Sequence, residues 1–131
     1  MSSFYWTTDV EEAKSEQRTM VDLISLQTAL PSNLSFKQGL AIGSSYNAQT
    51  KRCFAVGVFF DDTGFYSTNL REISKYVTVD FPYIPGLLAF RVGPAICALL
   101  DEVVDQVDLL LIDGQGLAHQ RGLGLASHIG V

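Results

Sequence analysis

Apolar residues recur with a helical period near the start of the chain. Five of them fall on one face of a helix: Val10, Ala13, Met20, Val21 and Ile24. Thr8 and Glu11 have the spacing of a capping box, in which each side chain bonds to free amides of the first turn. Pro31 disfavours helical geometry in the residue before it. The pattern therefore predicts a helix from about Asp9 to Leu30.

The next segments are short and rich in β-branched and aromatic residues, which favour strands. We expect strands at Gly39–Tyr46 and Lys51–Phe60, joined by a hairpin turn at residues 47–50. The turn residues that follow predict a third strand at Phe65–Thr68. Tyr76–Phe81 alternates weakly, as an edge strand does.

Two prolines prevent the segment Pro82–Gly86 from forming a helix or an interior strand. We expect a helix from there to about Gln106, kinked early by Pro94. One side of this helix is apolar: Val92, Ile96, Leu99, Val103 and Val107. The continuous apolar run Val107–Ile112 is typical of a strand covered on both faces. This order of elements predicts an α/β fold with a mixed sheet, in a single domain over residues 1–131.

Composition narrows the class of protein. The chain is 47% hydrophobic and 18% charged, as is usual for globular proteins, and the longest apolar run is too short to span a membrane. The start of the chain lacks the features of a secretory signal, so we expect a cytoplasmic protein.

Cys53 and Cys97 lie in apolar surroundings and are interpreted as buried, reduced thiols.

The net charge of −5 argues against sequence-independent affinity for nucleic acid, which normally requires an excess of Lys and Arg. A local basic groove remains compatible with it. Arg91, Arg121, His119 and His128 are the residues from which such a groove could be built.

Asp113 is the clearest candidate for chemistry. It follows the apolar run 107–112 directly, and the carboxyl ends of strands are where α/β sheets place their sites. Gly114 and Gly116 would let the backbone of a substrate approach closely. An aspartate that caps a turn explains the same pattern equally well, so the residues alone leave the role of Asp113 open.

Three stretches give the chain a specific resemblance: Phe81–Arg91 (FPYIPGLLAFR), Asp113–Arg121 (DGQGLAHQR) and Leu123–Val131 (LGLASHIGV). Together they resemble the endonuclease V family over roughly residues 9–131. The resemblance implies a ribonuclease H-like mixed sheet, truncated after the fourth core strand. It also implies an activity, because members of that family cut a strand beside deoxyinosine or inosine, use magnesium, and begin the repair of deaminated adenine.

The resemblance assigns a role to the proline-rich loop. In that family the equivalent loop is a wedge beside the damaged base, which here comprises Pro82, Tyr83, Ile84 and Pro85. A stiff loop with an aromatic tip can part or stack on bases at little entropic cost. From the local sequence alone, a rigid turn before a helix would be the more ordinary interpretation.

The resemblance also implies that Asp113 is a metal ligand, with Mg²⁺ as the cofactor. His119 and Arg121 match positions near the substrate phosphates, where hydrogen-bond donors and cations are useful. Gly114 and Gly116 belong to the same nucleic-acid-binding set.

Several positions depart from the family pattern. Two expected carboxylates are replaced, the first-strand aspartate by Gly43 and the catalytic glutamate by Val92. Two loop positions, normally His and Pro, are Gln115 and Gln120. Mg²⁺ is usually held by one or two carboxylates together with substrate phosphate, so Asp113 alone is a poor anchor.

The remaining acids offer no obvious replacement. Asp61, Asp62 and Asp80 are the nearest spare carboxylates, but nothing in their spacing places them beside Asp113. Val92, in turn, extends the apolar stripe of its helix and is interpreted as a packing residue.

Three functions remain open. The first is a degenerate endonuclease V-like protein, with lost or very weak nuclease activity and residual binding of nucleic acid containing inosine or deoxyinosine. The second is an active metal-dependent endonuclease whose missing ligands come from another subunit. The third is a protein-interaction or structural domain. We also expect a homo-oligomer, because a strand that would cover the edge of Val107–Ile112 is missing and exposed apolar edges pair with other chains.

Overall fold

The computed structural model describes residues 5–25, 36–62 and 71–131 of the protein. In chain order its elements are α1 (Val10–Met20), β1 (Gly39–Asn47), β2 (Arg52–Phe60), β3 (Glu72–Thr78), α2 (Leu88–Val103), β4 (Leu109–Ile112) and α3 (Leu125–Gly130). Short 3-10 turns extend α1 over Val21–Leu23 and α2 over Val104–Gln106.

The strands form one mixed sheet in the order β3-β2-β1-β4. β2 is antiparallel to both β1 and β3, whereas β4 runs parallel to β1. The predicted hairpin is confirmed: the side-chain oxygen of Asn47 accepts the amides of Gln49 and Thr50 at 2.9 and 3.2 Å. This local bonding favours the turn and so fixes the register between β1 and β2.

The helix α2 packs across one face of the sheet and forms the core with it. Its predicted apolar stripe is confirmed, since Val92, Ile96, Leu99 and Val103 are all buried. The opposing side chains come from alternate residues of the strands, including Leu40, Ile42, Cys53, Ala55 and Phe59. Alternation arises because successive side chains of a strand point to opposite faces.

The first helix is shorter than the predicted span of Asp9–Leu30. Asp9, rather than Thr8, is the N-cap, and its carboxylate accepts the amide of Glu12 at 2.7 Å. Ile24 already has extended backbone geometry. Helices this short are stabilised mainly by packing against the rest of the protein. The buried residues of α1 are Ala13 and Gln17, whereas the apolar residues Val21 and Ile24 are only half-buried.

The third strand also differs in place. The predicted edge segment Tyr76–Phe81 is strand only to Thr78, and β3 begins earlier, at Glu72. After Thr78 the chain leaves the sheet, because Val79 and Phe81 turn into the core, where Phe81 stacks on Phe90 with ring centroids 5.8 Å apart. The predicted strand at Phe65–Thr68 lies outside the described residues.

The prediction that Val107–Ile112 forms a strand covered on both faces is wrong in its second part. β4 is an edge strand of the described sheet, and Leu110 and Leu111 are exposed. Its start is fixed by Asp108, whose carboxylate accepts the amides of Lys37 and Gln38 at 3.0 and 3.3 Å. The continuous run of leucine therefore reflects a strand that the described residues leave uncovered on one side.

The predicted thiols are both free of disulfides. Cys53 is buried, and its burial raises the pKa of the thiol to about 11. Cys97 is half-buried, and burial likewise raises its pKa. In the described ranges, none of the helices has the length and apolar character needed to cross a bilayer.

An aromatic cluster closes the end of the core formed by α2 and α3. The ring of Trp6 lies 4.9 Å from that of His128 and 5.5 Å, edge-on, from that of Phe90. Trp6 can approach α2 this closely because Gly93 has no side chain; a Cβ there would lie 2.3 Å from the indole ring. His128 is only 4% exposed. Burial, reinforced by the charge of His119, lowers its pKa to about 4.

The buried His128 predicts a loss of stability in mild acid. Its folded pKa lies below the ordinary value of 6.5, so the unfolded chain binds a proton first as the pH falls. The contribution of the neutral His128 to the free energy of unfolding is fully present above pH 6.5. It is lost as the pH falls towards 4, by about 3 kcal/mol in total. Denaturant unfolding at pH 7 and pH 4.5 measures this loss. His128→Phe should show a shallower pH dependence than the wild type, and equal slopes would contradict the assignment.

Candidate functional site

The parallel pairing of β1 with β4 brings two predicted site positions side by side. Ile42 pairs with Ile112, and the amide of Asp113 bonds to the carbonyl of Ile42 at 3.4 Å. The next residue of β1 is Gly43, which is where the family pattern has its first carboxylate. Both positions are exposed.

Gly43 and Asp113 line the same open cavity of about 520 Å³. The rest of its lining is aliphatic and comes from the sheet: Ala41, Ile42, Val56, Val58, Leu111 and Ile112. A Cβ built on Gly43 meets no atom within 4 Å. The site thus has room for a second carboxylate, but the part of the chain that the structure describes places only Asp113 there.

Val92 is absent from this cavity. It is 3% exposed and belongs to the core between α2 and the sheet, where its carbonyl accepts a weak bond from the Cys53 thiol at 3.7 Å. The position where the family pattern has a catalytic glutamate therefore serves packing here, as the sequence predicts.

The spare acids do not repair the site. Asp80 pairs with Lys51 at 3.1 Å, and neither it nor Asp61 or Asp62 lines the cavity at Asp113. Within the described ranges, no group of three or more His, Cys, Asp or Glu side chains converges as a metal site does. Mg²⁺ is usually held by one or two carboxylates together with substrate phosphate. Asp113 is the one acid that lines the cavity, so the described residues of this chain do not by themselves fit the magnesium ion that the resemblance implies.

The wedge loop, residues 82–86, presents an aromatic tip to solvent. Tyr83 is 71% exposed, and Pro82 and Pro85 are exposed beside it. Ile84 turns inward and packs against the core, and its carbonyl accepts the amide of Leu87 at 3.0 Å. One inward side chain thus anchors the loop while its aromatic ring stays available.

A cation lies beneath this tip. The guanidinium of Arg91 sits 3.8 Å from the ring centroid of Tyr46 and 5.9 Å from that of Tyr83. Tyr46 is held in turn by its hydroxyl, which donates to the carbonyl of Val79 at 2.7 Å. Arg91 therefore places positive charge near the exposed ring.

His119 and Arg121 both turn towards the base of the wedge loop. The Nε2 of His119 lies 2.7 Å from the carbonyl of Gly86, and Nη2 of Arg121 donates to the same oxygen at 3.3 Å. The Nδ1 of His119 accepts the amides of Arg121 and Leu123 at 3.0 and 3.4 Å. Since Nδ1 accepts, Nε2 is the ring nitrogen that donates to the carbonyl of Gly86. His119 and Arg121, predicted to lie near the substrate phosphates, thus have a structural role in joining the two loops.

The glycines of the 113–124 loop, the segment between β4 and α3, also serve internal packing. A Cβ on Gly114 would lie 3.0 Å from that of Leu125, and the carbonyl of Gly116 accepts the amide of Gly124 at 2.9 Å. Gln120, which replaces the family's proline, donates to the carbonyl of Pro85 at 3.1 Å. Residues 119–121 of this loop are therefore joined to the base of the wedge loop.

Sequence reasoning missed one residue of this arrangement. Gln17 of α1 is fully buried, donates to the carbonyl of Gly86 at 2.8 Å and accepts from Nε of Arg121 at 2.5 Å. A glutamine four residues after Ala13 on the buried face of α1 is the only local signal of its role.

Comparisons with known proteins agree with this geometry. The family model of endonuclease V matches residues 18–131. The chain belongs to the endonuclease V family. Endonuclease V of Trichormus variabilis is 34% identical over 126 residues, which are 96% of this chain and 55% of that protein. The crystal structure of endonuclease V from Streptomyces avermitilis superposes with a TM-score of 0.82 at 32% identity, covering 95% of this chain and 54% of its own.

The endonuclease V of Ciona intestinalis, solved with a 24mer DNA containing an inosine, superposes with a TM-score of 0.71 at 22% identity. The match covers 92% of this chain and 52% of that one. The ribonuclease H-like mixed α/β fold predicted from the sequence is confirmed. This endonuclease V homologue spans about half the length of the relatives it matches.

Two substitutions test how the family's carboxylate positions are used here. Gly43→Asp should change stability by less than about 1 kcal/mol, because the position is open. It should also tighten Mn²⁺ binding about tenfold, since two carboxylates then share the cavity. Val92→Glu should cost more than about 3 kcal/mol, because it buries a charge without a partner.

Denaturant unfolding and calorimetric titration with Mn²⁺ measure the two effects. Gly43→Asn is the matched control, since it has the same shape without charge. Equal Mn²⁺ affinity in the two Gly43 variants, or a well-tolerated Val92→Glu, would contradict the placement of these residues.

Proposed function

We propose that this chain is an endonuclease V-like nucleic-acid-binding domain whose strand-cleaving activity is lost or very weak. One observation carries the proposal: Asp113 stands at its cavity beside Gly43, while Val92 lies buried in the core. The two positions that would complete a metal site therefore offer no oxygen ligand.

Coordination chemistry links this geometry to activity. Metal-assisted hydrolysis of a phosphodiester requires an ion held firmly enough to activate water and stabilise the leaving oxygen. With a single carboxylate, the other ligands of the ion would have to come from water and substrate. Cleavage by this chain alone should therefore be slow or absent.

The wedge loop supports retained binding. Its exposed Tyr83 offers a stacking surface, and the nearby Arg91 guanidinium offers a cation. Proteins that bind single-stranded nucleic acids combine these two features. The relative from Ciona intestinalis binds DNA containing an inosine, so we propose inosine- or deoxyinosine-containing strands as the ligand class. His119 and Arg121, with Gly114 and Gly116, would line the approach to the phosphates.

A second candidate is an active nuclease assembled from more than one polypeptide, with Mg²⁺ ligands supplied by another subunit. The observation that favours assembly is the uncovered β4, with Leu111 47% exposed next to the cavity of Asp113. A partner on this face would stand near the carboxylate. A single-domain organisation over residues 1–131 and a cytoplasmic location remain predictions of the sequence.

An inosine-containing oligonucleotide separates binding from cleavage. With Mg²⁺ or Mn²⁺ we expect binding at low salt and no cleavage above background. Low salt is required because a net charge of −5 opposes the polyanion. Gel electrophoresis and fluorescence anisotropy on the same samples measure both. Multiple-turnover cleavage would overturn the proposal and favour the assembled nuclease, and absence of binding would favour an interaction domain.

Tyr83→Ala provides the site-specific arm of this experiment. It should weaken binding by about tenfold or more through lost stacking. Tyr76→Ala is the matched control, because Tyr76 is also exposed and lies near a cation, Arg52, but belongs to β3. Equal effects of the two substitutions would contradict the proposed role of the wedge.

The edge strand β4, which the described residues leave uncovered, predicts self-association. At micromolar concentration, light scattering after size exclusion should give a mass of at least twice 14.3 kDa. Leu111→Lys should restore the monomer, since an edge lysine blocks strand pairing. Val104→Lys, an exposed apolar position on the turn after α2, should not. A clean wild-type monomer would argue against the oligomer.

A further inference from the structure

A single buried amide joins three parts of the molecule. Gln17 lies on α1 and is fully buried. Its Nε2 donates to the carbonyl of Gly86 at the end of the wedge loop, at 2.8 Å. Its Oε1 accepts from Nε of Arg121 in the 113–124 loop, at 2.5 Å. Both ends of the amide are therefore occupied, each by a different loop of the candidate site.

The carbonyl of Gly86 is the point where these loops meet. Besides Gln17, it has Nε2 of His119 at 2.7 Å and Nη2 of Arg121 at 3.3 Å. Three donors around one carbonyl exceed its two lone pairs. Such an arrangement restricts the position of the oxygen more tightly than an ordinary turn does.

The backbone conformation at Gly86 favours glycine over other residues. Its φ is +89°, and a Cβ would lie 2.2 Å from Nε2 of Gln120 and 2.7 Å from Nη2 of Arg121. A side chain would therefore require backbone strain and displacement of the ends of the Gln120 and Arg121 side chains. Because Gly86 has no side chain, the hydrogen-bond donors of the neighbouring residues can surround its carbonyl.

We propose that Gln17 is a positioning residue for the wedge: it orients Tyr83 for nucleic acid by fixing the base of the loop against the 113–124 loop. Tyr83 is 71% exposed, and the guanidinium of Arg91 lies 5.9 Å from its ring centroid, so contacts of its own constrain it little. A loop fixed before binding loses less conformational freedom when the ligand arrives. The inference deepens the proposed function and, for its effect on binding, rests on it.

Hydrogen–deuterium exchange of the ligand-free protein tests the first half of this inference. Gln17→Met keeps the volume and removes both bonds. We expect about tenfold faster exchange at Leu87 and Gly122, whose amides bond within the two loops, and unchanged exchange in β1 and β2. Gln120→Ala is the matched control, because it removes one exposed bond to the same loop, to Pro85. Unchanged loops, or equal acceleration throughout the sheet, would overturn the positioning role.

A second variant covers the case in which Gln17→Met does not fold. Gln17→Glu, studied at pH 8, keeps an oxygen for Arg121 but has no N–H for the carbonyl of Gly86. We expect faster exchange at Leu87 and near-native exchange at Gly122. Native-like exchange at both amides would show that Gln17 does not hold the wedge.

Binding measurements test the second half. The ratio of affinities for an inosine-containing strand and its inosine-free counterpart should fall about tenfold in Gln17→Met and stay unchanged in Gln120→Ala. A loosened loop with an unchanged ratio would overturn the role in binding. If the wild type binds neither strand, the proposed function fails and the role in binding fails with it. The exchange experiment still decides whether Gln17 fixes the loop.

Discussion

The packing of α2 against one face of the sheet is the constraint from which the rest of this structure follows. It makes the inner face of β1 and β2 apolar and commits Val92 to the core. It also leaves the opposite face, with Gly43, Val56 and Leu111, open to solvent. Because successive residues of a strand alternate between these faces, the side of the sheet on which each candidate side chain lies is decided by register alone.

The candidate site consists of two regions with different chemistry. One is the cavity at Asp113, where the described residues supply one carboxylate and bring together no group of three metal-binding side chains. The other is the wedge loop and the 113–124 loop, where a dense set of hydrogen bonds meets at Gly86. A protein can lose the first without disturbing the second, since the bonds that stabilise the wedge loop come from neutral and cationic donors and need no metal.

Much of this could be predicted from the sequence because it depends on local patterns. The apolar stripe of α2, the hairpin after Asn47 and the packing role of Val92 all follow from periodicity and turn chemistry. The adjacency of Gly43 and Asp113 could be expected only through the family resemblance, since it depends on pairing between strands far apart in the chain.

The errors have a common physical origin in long-range contacts. The run of leucines in β4 resembles a central strand, but burial depends on neighbours that the run itself does not specify. The length of α1 was overestimated because its apolar residues after Met20 find little to pack against. Gln17 was missed because a buried polar side chain interrupts the apolar pattern, and its partners lie in loops near the other end of the sequence.

The burial of Val92 also makes the two departures from the family pattern unequal in what the fold tolerates. At Gly43 a side chain can be added without meeting any described neighbour within 4 Å. At Val92 an apolar side chain contributes to the core, so a carboxylate there would be buried without a partner. The open sheet face can therefore accept new polar chemistry at little cost in stability, whereas α2 can do so at Val92 only if the core around it is repacked.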